Sequence, residues 1–258
     1  GSKEISREMR ERVQLLAKQM NYRPNPFAMS LRHNAPHTIG VMMPDIVTHF
    51  YASILKGIEE TAVSNDYFVI ITSSNESFEH EKRNLENLAN LRVEGIIACL
   101  SQETTDYSRF LALKDIGLPL VFFDRVCLTD QFSSVIADGD LSAQVATQHL
   151  IDSGSRRIAF IGGANHLDIV KRRKHGYLEA LRQNRMAIEP ELVECRKIDY
   201  DEGKIATEKL LALSNPPDAI LAMNDTLAFA AMEVIKSHGL RIPDDVALIG
   251  YSDGRHAI

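Results

Sequence analysis

Eight short apolar runs constrain this chain most: Ile39–Met43, Phe68–Ile71, Gly95–Leu100, Leu120–Phe123, Val135–Ala137, Ile158–Ile161, Ala219–Ala222 and Val246–Ile249. Most are continuously apolar rather than alternating, the pattern of parallel strands covered by helices on both faces. Between them lie amphipathic segments of about 12–16 residues, each with one apolar stripe, such as Ile54/Ile58/Ala62, Ala206/Leu210/Leu213 and Leu227/Ala231/Val234. Turn clusters punctuate the units: Ser64-Asn65-Asp66, Ser153-Gly154-Ser155 and Asn215-Pro216-Pro217-Asp218. Repeated strand–helix units with right-handed crossovers give a doubly wound α/β sheet. Seven or eight strands fit one sheet or two smaller ones, and the pattern leaves both open.

A length of 258 residues allows one large domain or two modest ones. With 45% hydrophobic and 25% charged residues the chain is globular in composition, which excludes disordered and fibrous classes. No apolar run approaches the ~18–20 residues of a membrane-spanning helix, and the start, Gly1-Ser2-Lys3-Glu4, carries no apolar signal region. Three widely spaced cysteines (Cys99, Cys127, Cys195) suit a reduced, cytoplasmic protein better than a disulfide framework. Neither a membrane partner nor secretion is expected.

The net charge of −6 is uneven. Residues 1–38 hold seven cations and three anions, net +4, which leaves −10 for the remainder. A basic arm on an acidic body suits a polyanion partner for the arm alone. An ordinary solvated helix with pairs such as Glu8–Arg12 fits the charges as well. Ser6 can cap a helix running to about Met20, with Val13, Leu16, Ala17 and Met20 as its apolar stripe. Pro24 and Pro26 end it, and Phe27 to Arg32 can form a second, very short helix before a linker through Pro36.

In open α/β sheets ligands sit beyond the carboxyl ends of the strands. There the sequence offers Asp45 through Tyr51, Ser73-Ser74-Asn75, Asp124-Arg125, Asp138, Gly162-Gly163, Asn224-Asp225 and Ser252-Asp253. Short amide, carboxylate and guanidinium groups with one or two aromatics suit a neutral polyhydroxylated ligand. No GxGxxG follows a strand, and no GxxxxGK[ST] or GxSxG is present, so nucleotide and covalent chemistry fit poorly. His33 and His37 share an i,i+4 spacing, but Pro36 breaks that helix. No cofactor, no metal and no enzymatic activity are expected.

Several motifs in order resemble the lac-repressor/purine-repressor (LacI) family of bacterial transcription regulators. Ser6-Arg7-Glu8 through Asn21-Tyr22-Arg23-Pro24-Asn25 resembles the third helix of the family's DNA-binding headpiece and its exit. Phe27-Ala28-Met29-Ser30-Leu31-Arg32 resembles the hinge helix, and Thr38-Ile39-Gly40-Val41 the first core strand. Arg156 through Gly162, Arg173-Lys174-His175-Gly176-Tyr177, Ala222-Met223-Asn224-Asp225 and Val246 through Tyr251 resemble the effector domain.

The resemblance implies two doubly wound parallel-sheet subdomains of the periplasmic-binding-protein-like type I fold, preceded by a remnant of the helical headpiece. Residues 1–37 would be the partial headpiece, 38–124 the first subdomain and 125–258 the second, incomplete at its end. The first crossover is expected near Phe123–Asp124. The effector, a sugar or sugar derivative, would lie between the subdomains against Phe50, Tyr51, Asp138, Arg173, Tyr200, Asn224 and Ser252, with Asp225 a helix cap. Contacts to operator DNA would come from Ser6, Arg23, Asn25, Ala28, Leu31 and Arg32, with Leu31 wedging between base steps in a homodimer. Three departures from the family pattern stand out. The first two headpiece helices are missing, the chain stops before the family's last strands, and Ser252 stands where the family often has an aspartate. The implied function is a ligand-responsive regulator, a repressor; the alternative with the same fold is a periplasmic-type sugar receptor for transport or sensing.

Overall fold

A computed structural model describes residues 6–22 and 37–252. The DNA contacts expected of Arg23, Asn25, Ala28, Leu31 and Arg32 fall outside the described residues. Helix α1 (Arg7–Gln19) starts where expected: Ser6 Oγ accepts the Met9 N–H at 3.3 Å, and Lys18 lies in the last turn. The ion pair along it is Arg7–Glu11 rather than Glu8–Arg12.

The chain then builds two parallel sheets. The first has the order β2-β1-β3-β4-β5 from β1 (Thr38–Met43), β2 (Phe68–Ser73), β3 (Gly95–Ala98), β4 (Leu120–Phe123) and β5 (Ser133–Val135). Helices α2 (His49–Ser64), α3 (Phe78–Asn90) and α4 (Ser108–Asp115) connect them. The second has the order β7-β6-β8-β9 from β6 (Ile158–Gly162), β7 (Val193–Cys195), β8 (Ala219–Ala222) and β9 (Ala247–Ile249). It carries α5 (Gly139–Asp152), α6 (Asp168–Gln183), α7 (Tyr200–Leu211) and α8 (Asp225–Ser237), with a 3-10 turn at Pro190–Leu192. Both sheets start in their interior and reverse direction after their second strand, so each has a topological switch point beside its first strand.

The central strands are buried as the apolar runs require. Val41, Met42 and Met43 of β1, and Ala219 through Ala222 of β8, are fully covered. In the first lobe one face of the sheet packs Met42, Leu85, Leu88, Phe110 and Phe122, and the other packs Val41, Met43, Tyr51 and Phe123. The second lobe has one core around Phe160, whose ring stacks on Tyr177 with centroids 5.5 Å apart.

Two features differ from the sequence reading. Nine strands form among the described residues where seven or eight were expected, because Val193–Cys195 is a strand that no apolar run announced. Its middle residue, Glu194, is buried and held by Lys209 and Arg196. The first lobe also continues past Phe123–Asp124. Ser133–Val135 pairs with β4, Val121 opposite Ser133 and Phe123 opposite Val135, so the chain passes to the second lobe after Val135. An edge strand with two serines exposes much of its surface and leaves little hydrophobic signal.

Candidate functional site

The carboxyl ends of the two sheets meet around one cavity of about 780 Å³, within the ~300–1,000 Å³ usual for a small-molecule site. Its walls come from the segments that follow β1, β2, β4, β6, β7, β8 and β9. In the first lobe the Asp45 carboxylate accepts the N–H groups of Val47 (2.8 Å) and Thr48 (3.0 Å), fixing the turn that starts α2. That turn presents Phe50 to the cavity, edge-on to Tyr51 with centroids 5.1 Å apart. Tyr51 is buried, and its hydroxyl donates to Asp124 Oδ2 at 3.2 Å. Burial pushes the Tyr51 phenol well above its ordinary value, which keeps it a neutral donor. Burial likewise pushes the Cys99 thiol beside it up, so no thiolate nucleophile forms there. Asp124 itself has φ +57°, a left-handed conformation that aspartate tolerates better than most residues. Arg125, next along, is buried with Glu76 Oε2 at 2.8 Å from its Nη1 and is thereby committed to structure.

The second lobe answers with Arg173. Its Nη1 donates to the carbonyl of Met223, and its guanidinium lies over the Tyr251 ring, 4.2 Å from the centroid. Its Nε is buried without a hydrogen-bond partner. Burial lowers the Arg173 pKa from the ordinary arginine value, and the Asp124 charge across the cavity opposes that shift. Asn224 caps α8, its Oδ1 accepting the Leu227 N–H at 3.1 Å; the amide nitrogen keeps two further donors. Asp199 caps α7 in the same way, through Asp201 N–H at 2.8 Å. Tyr200 then begins the helix with its hydroxyl donating to Glu233 Oε2 at 2.7 Å. Ile169, Ile198, Met223 and Phe229 supply the apolar part of the wall.

The cavity brings together Phe50, Tyr51, Arg173, Tyr200, Asn224 and Ser252 of the expected effector residues. Asp138 is not among its lining residues: it is exposed and caps α5, its Oδ1 accepting the Leu141 N–H at 3.0 Å. The acidic group opposite Arg173 is Asp124, whose place at the end of β4 was the signal for it. Asn224, not Asp225, caps α8; Asp225 is its first residue and also lines the cavity. Phe229 lies one helical turn past Asp225, a periodicity that could have found it. Ile198 follows the unannounced β7 and left no signal. Ser6 caps α1 and is not part of the cavity.

Gly162-Gly163 has a packing reason. A Cβ on Gly162 would collide with the Phe160 ring, and one on Gly163 with Ile198. A second groove of about 470 Å³ on the first lobe, lined by Ile39, Ile54, Ile58 and Ile97 among others, has no charged side chain in its wall and lacks the converging polar groups of a specific site. Among the described residues no cluster of three or more histidine, cysteine, aspartate or glutamate side chains could hold a metal ion. No helix among them is long and apolar enough to cross a membrane.

Comparison with known proteins agrees with this geometry. Residues 36–254 match the family of periplasmic binding proteins and the sugar binding domain of the LacI family. The chain is 33% identical to the probable HTH-type transcriptional repressor ExuR of Bacillus subtilis, over 96% of this chain and 74% of that protein. It is 30% identical to the ribose operon repressor of Haemophilus influenzae, over 98% and 75%. Among solved structures, the transcription regulator CcpA of Lactococcus lactis superposes with a TM-score of 0.78 at 28% identity, covering 84% of this chain and 79% of that one. The transcriptional regulator CelR in complex with cellobiose gives a TM-score of 0.78 at 29% identity, covering 98% and 76%. The matched family, the repressor relatives and the paired parallel sheets with a shared cavity lead to one assignment: this chain belongs to the LacI family of transcriptional regulators.

Proposed function

We propose that the chain is the effector-responsive part of a repressor whose interlobe cavity binds a sugar or sugar derivative and thereby controls operator binding. One observation carries the reading: an arginine with a bare buried Nε, a capping asparagine, a carboxylate and two aromatic rings from separate lobes line one cavity of sugar size. Forked donors and a carboxylate grip hydroxyls, and a ring such as Phe50 packs on the apolar face of a pyranose or furanose. The ribose operon repressor and the cellobiose complex among the relatives support a saccharide. That the named relatives are regulators also favours this reading over a transport receptor and over an enzyme.

The effector acts by preferring one angle between the lobes, and the coupling to DNA is bounded by that preference, typically ~1–3 kcal/mol. Residues 1–37 carry the signal to the duplex. In a cytoplasmic homodimer on operator DNA, Leu31 wedges into the minor groove and Arg23 and Arg32 attract phosphates. A thermal-shift screen of the chain against neutral sugars and sugar acids tests the site. A saccharide that raises the melting temperature, and loses that effect in Arg173→Ala, is the expected result. A hit that persists undiminished in Arg173→Ala overturns the assigned site. With the headpiece present, Leu31→Ala is expected to weaken operator binding and reduce the bend.

A further inference from the structure

The loop after β3 is built against the usual rule that loop polar groups stay wet. Ser101, Gln102 and Thr104 are all buried. Two carboxylates of the first lobe hold them. Glu81 on α3, itself 1% exposed, accepts the Ser101 N–H at 2.8 Å and the Thr104 hydroxyl at 2.7 Å. Glu76 Oε2 accepts the Gln102 N–H at 2.8 Å while pairing with Arg125. The Glu103 N–H donates to Ser101 Oγ at 3.2 Å, and Glu103 Oε2 accepts the Phe78 N–H at 3.3 Å. The backbone of this loop is therefore fixed in place before anything touches its outer side.

Across the interlobe boundary Gln102 Oε1 accepts the Ile198 N–H at 2.7 Å. Beside it Lys197 Nζ stands 3.6 Å from Glu103 Oε1, a pair 62% and 47% exposed that contributes little in water. Ile198, Asp199 and Tyr200 form one wall of the cavity. Breaking the Gln102 bond would leave a backbone N–H of that wall without its acceptor, a cost well above that of parting a wet ion pair.

We propose that Gln102 is an interlobe positioning residue. Its bond to Ile198 holds the Lys197–Tyr200 wall against the first lobe, and opening of the cavity requires that this bond break. The inference rests on the cavity being the effector site, and its test needs no effector. In the full chain, Gln102→Met keeps the side-chain length and removes the acceptor, whereas Gln102→Glu keeps an acceptor. Hydrogen exchange read on the segment containing Ile198 is expected to accelerate about ten-fold in Gln102→Met, while β6 and β8 keep their protection. Small-angle scattering should show a larger radius of gyration for the same variant. Gln102→Glu should retain most of the protection, a rescue that a general packing role would not produce. Unchanged exchange around Ile198 in Gln102→Met, or equal acceleration in both variants, overturns the proposal. Failure of every saccharide in the thermal-shift screen, with these exchange results as expected, would remove the effector reading and leave the interlobe bond standing.

Discussion

Arg173 is a group whose placement serves binding rather than stability. Its side chain is half-buried, its Nε is buried and unpartnered, and the Asp124 charge that opposes its pKa shift lies across the cavity. Removing such a cation relieves a desolvation cost. Arg173→Ala is therefore expected to leave the unliganded melting temperature unchanged or raised while abolishing the saccharide-induced shift, as read by thermal unfolding with and without a screening hit. Glu81 gives a pH prediction. Burial pushes its carboxyl up to about 7, over the opposing bonds from Ser101 and Thr104. Glu76 adds to the rise and Arg125 opposes it; Cys127 and Tyr107 are the other titratable groups it faces. Between about pH 4.5 and 7 the folded chain holds a proton that the unfolded chain has released. Stability is then highest at the acid end of that window and falls as pH rises through it, by roughly 3 kcal/mol in total. Urea unfolding at pH 5 and pH 8 should show this decline in the parent chain and lose most of it in Glu81→Gln. At this scale Asn224 was legible from its place at the end of a strand, whereas Arg173 and Tyr200 stood out only through the family resemblance, since a basic run and a helix-start tyrosine read alone as solvated surface. Asp138 was not legible, because a carboxylate just before a helix answers either to a ligand or to the helix's own N–H groups. Here Leu141 takes it.

The elements were legible in proportion to how much apolar surface they bury. The covered strands β1, β3, β4, β6 and β8 announced themselves, as did the apolar edge strands β2 and β9; β5 was marked only at its last residue, Val135, and β7 not at all. The three residues of each of these last two are mostly polar or half-exposed, so no periodicity marks them. Glycines separate two kinds of helix surface. Gly57, inside α2, has nothing within 4 Å of a built Cβ, so Gly57→Ala should stabilise the first lobe by about 0.5–1 kcal/mol through helix propensity. Gly176, inside α6, lets that helix lie directly on α5, where a Cβ would fall on the carbonyl oxygen of Asp140. Gly176→Ala should cost about 1–3 kcal/mol or more by forcing the pair apart. Both follow from the denaturation midpoints of the two variants.

At the scale of the molecule the two lobes have separate cores, joined by a cavity and polar links rather than by shared apolar packing. Phe160→Ala should cost about 3–5 kcal/mol, and its effect should stay local. Native-state exchange is expected to weaken in β6 and β8 while β1 and β3 keep their protection. Helix α1 stands outside both cores: none of its residues is buried, and Val13 and Leu16, with the capping Met20, are more than half exposed. Thirteen residues with no packed face are close to the limit at which a helix persists in water. On warming, its ellipticity should drain away gradually and early, a shallow slope ahead of the steep collapse of the body, so that this segment melts on its own schedule.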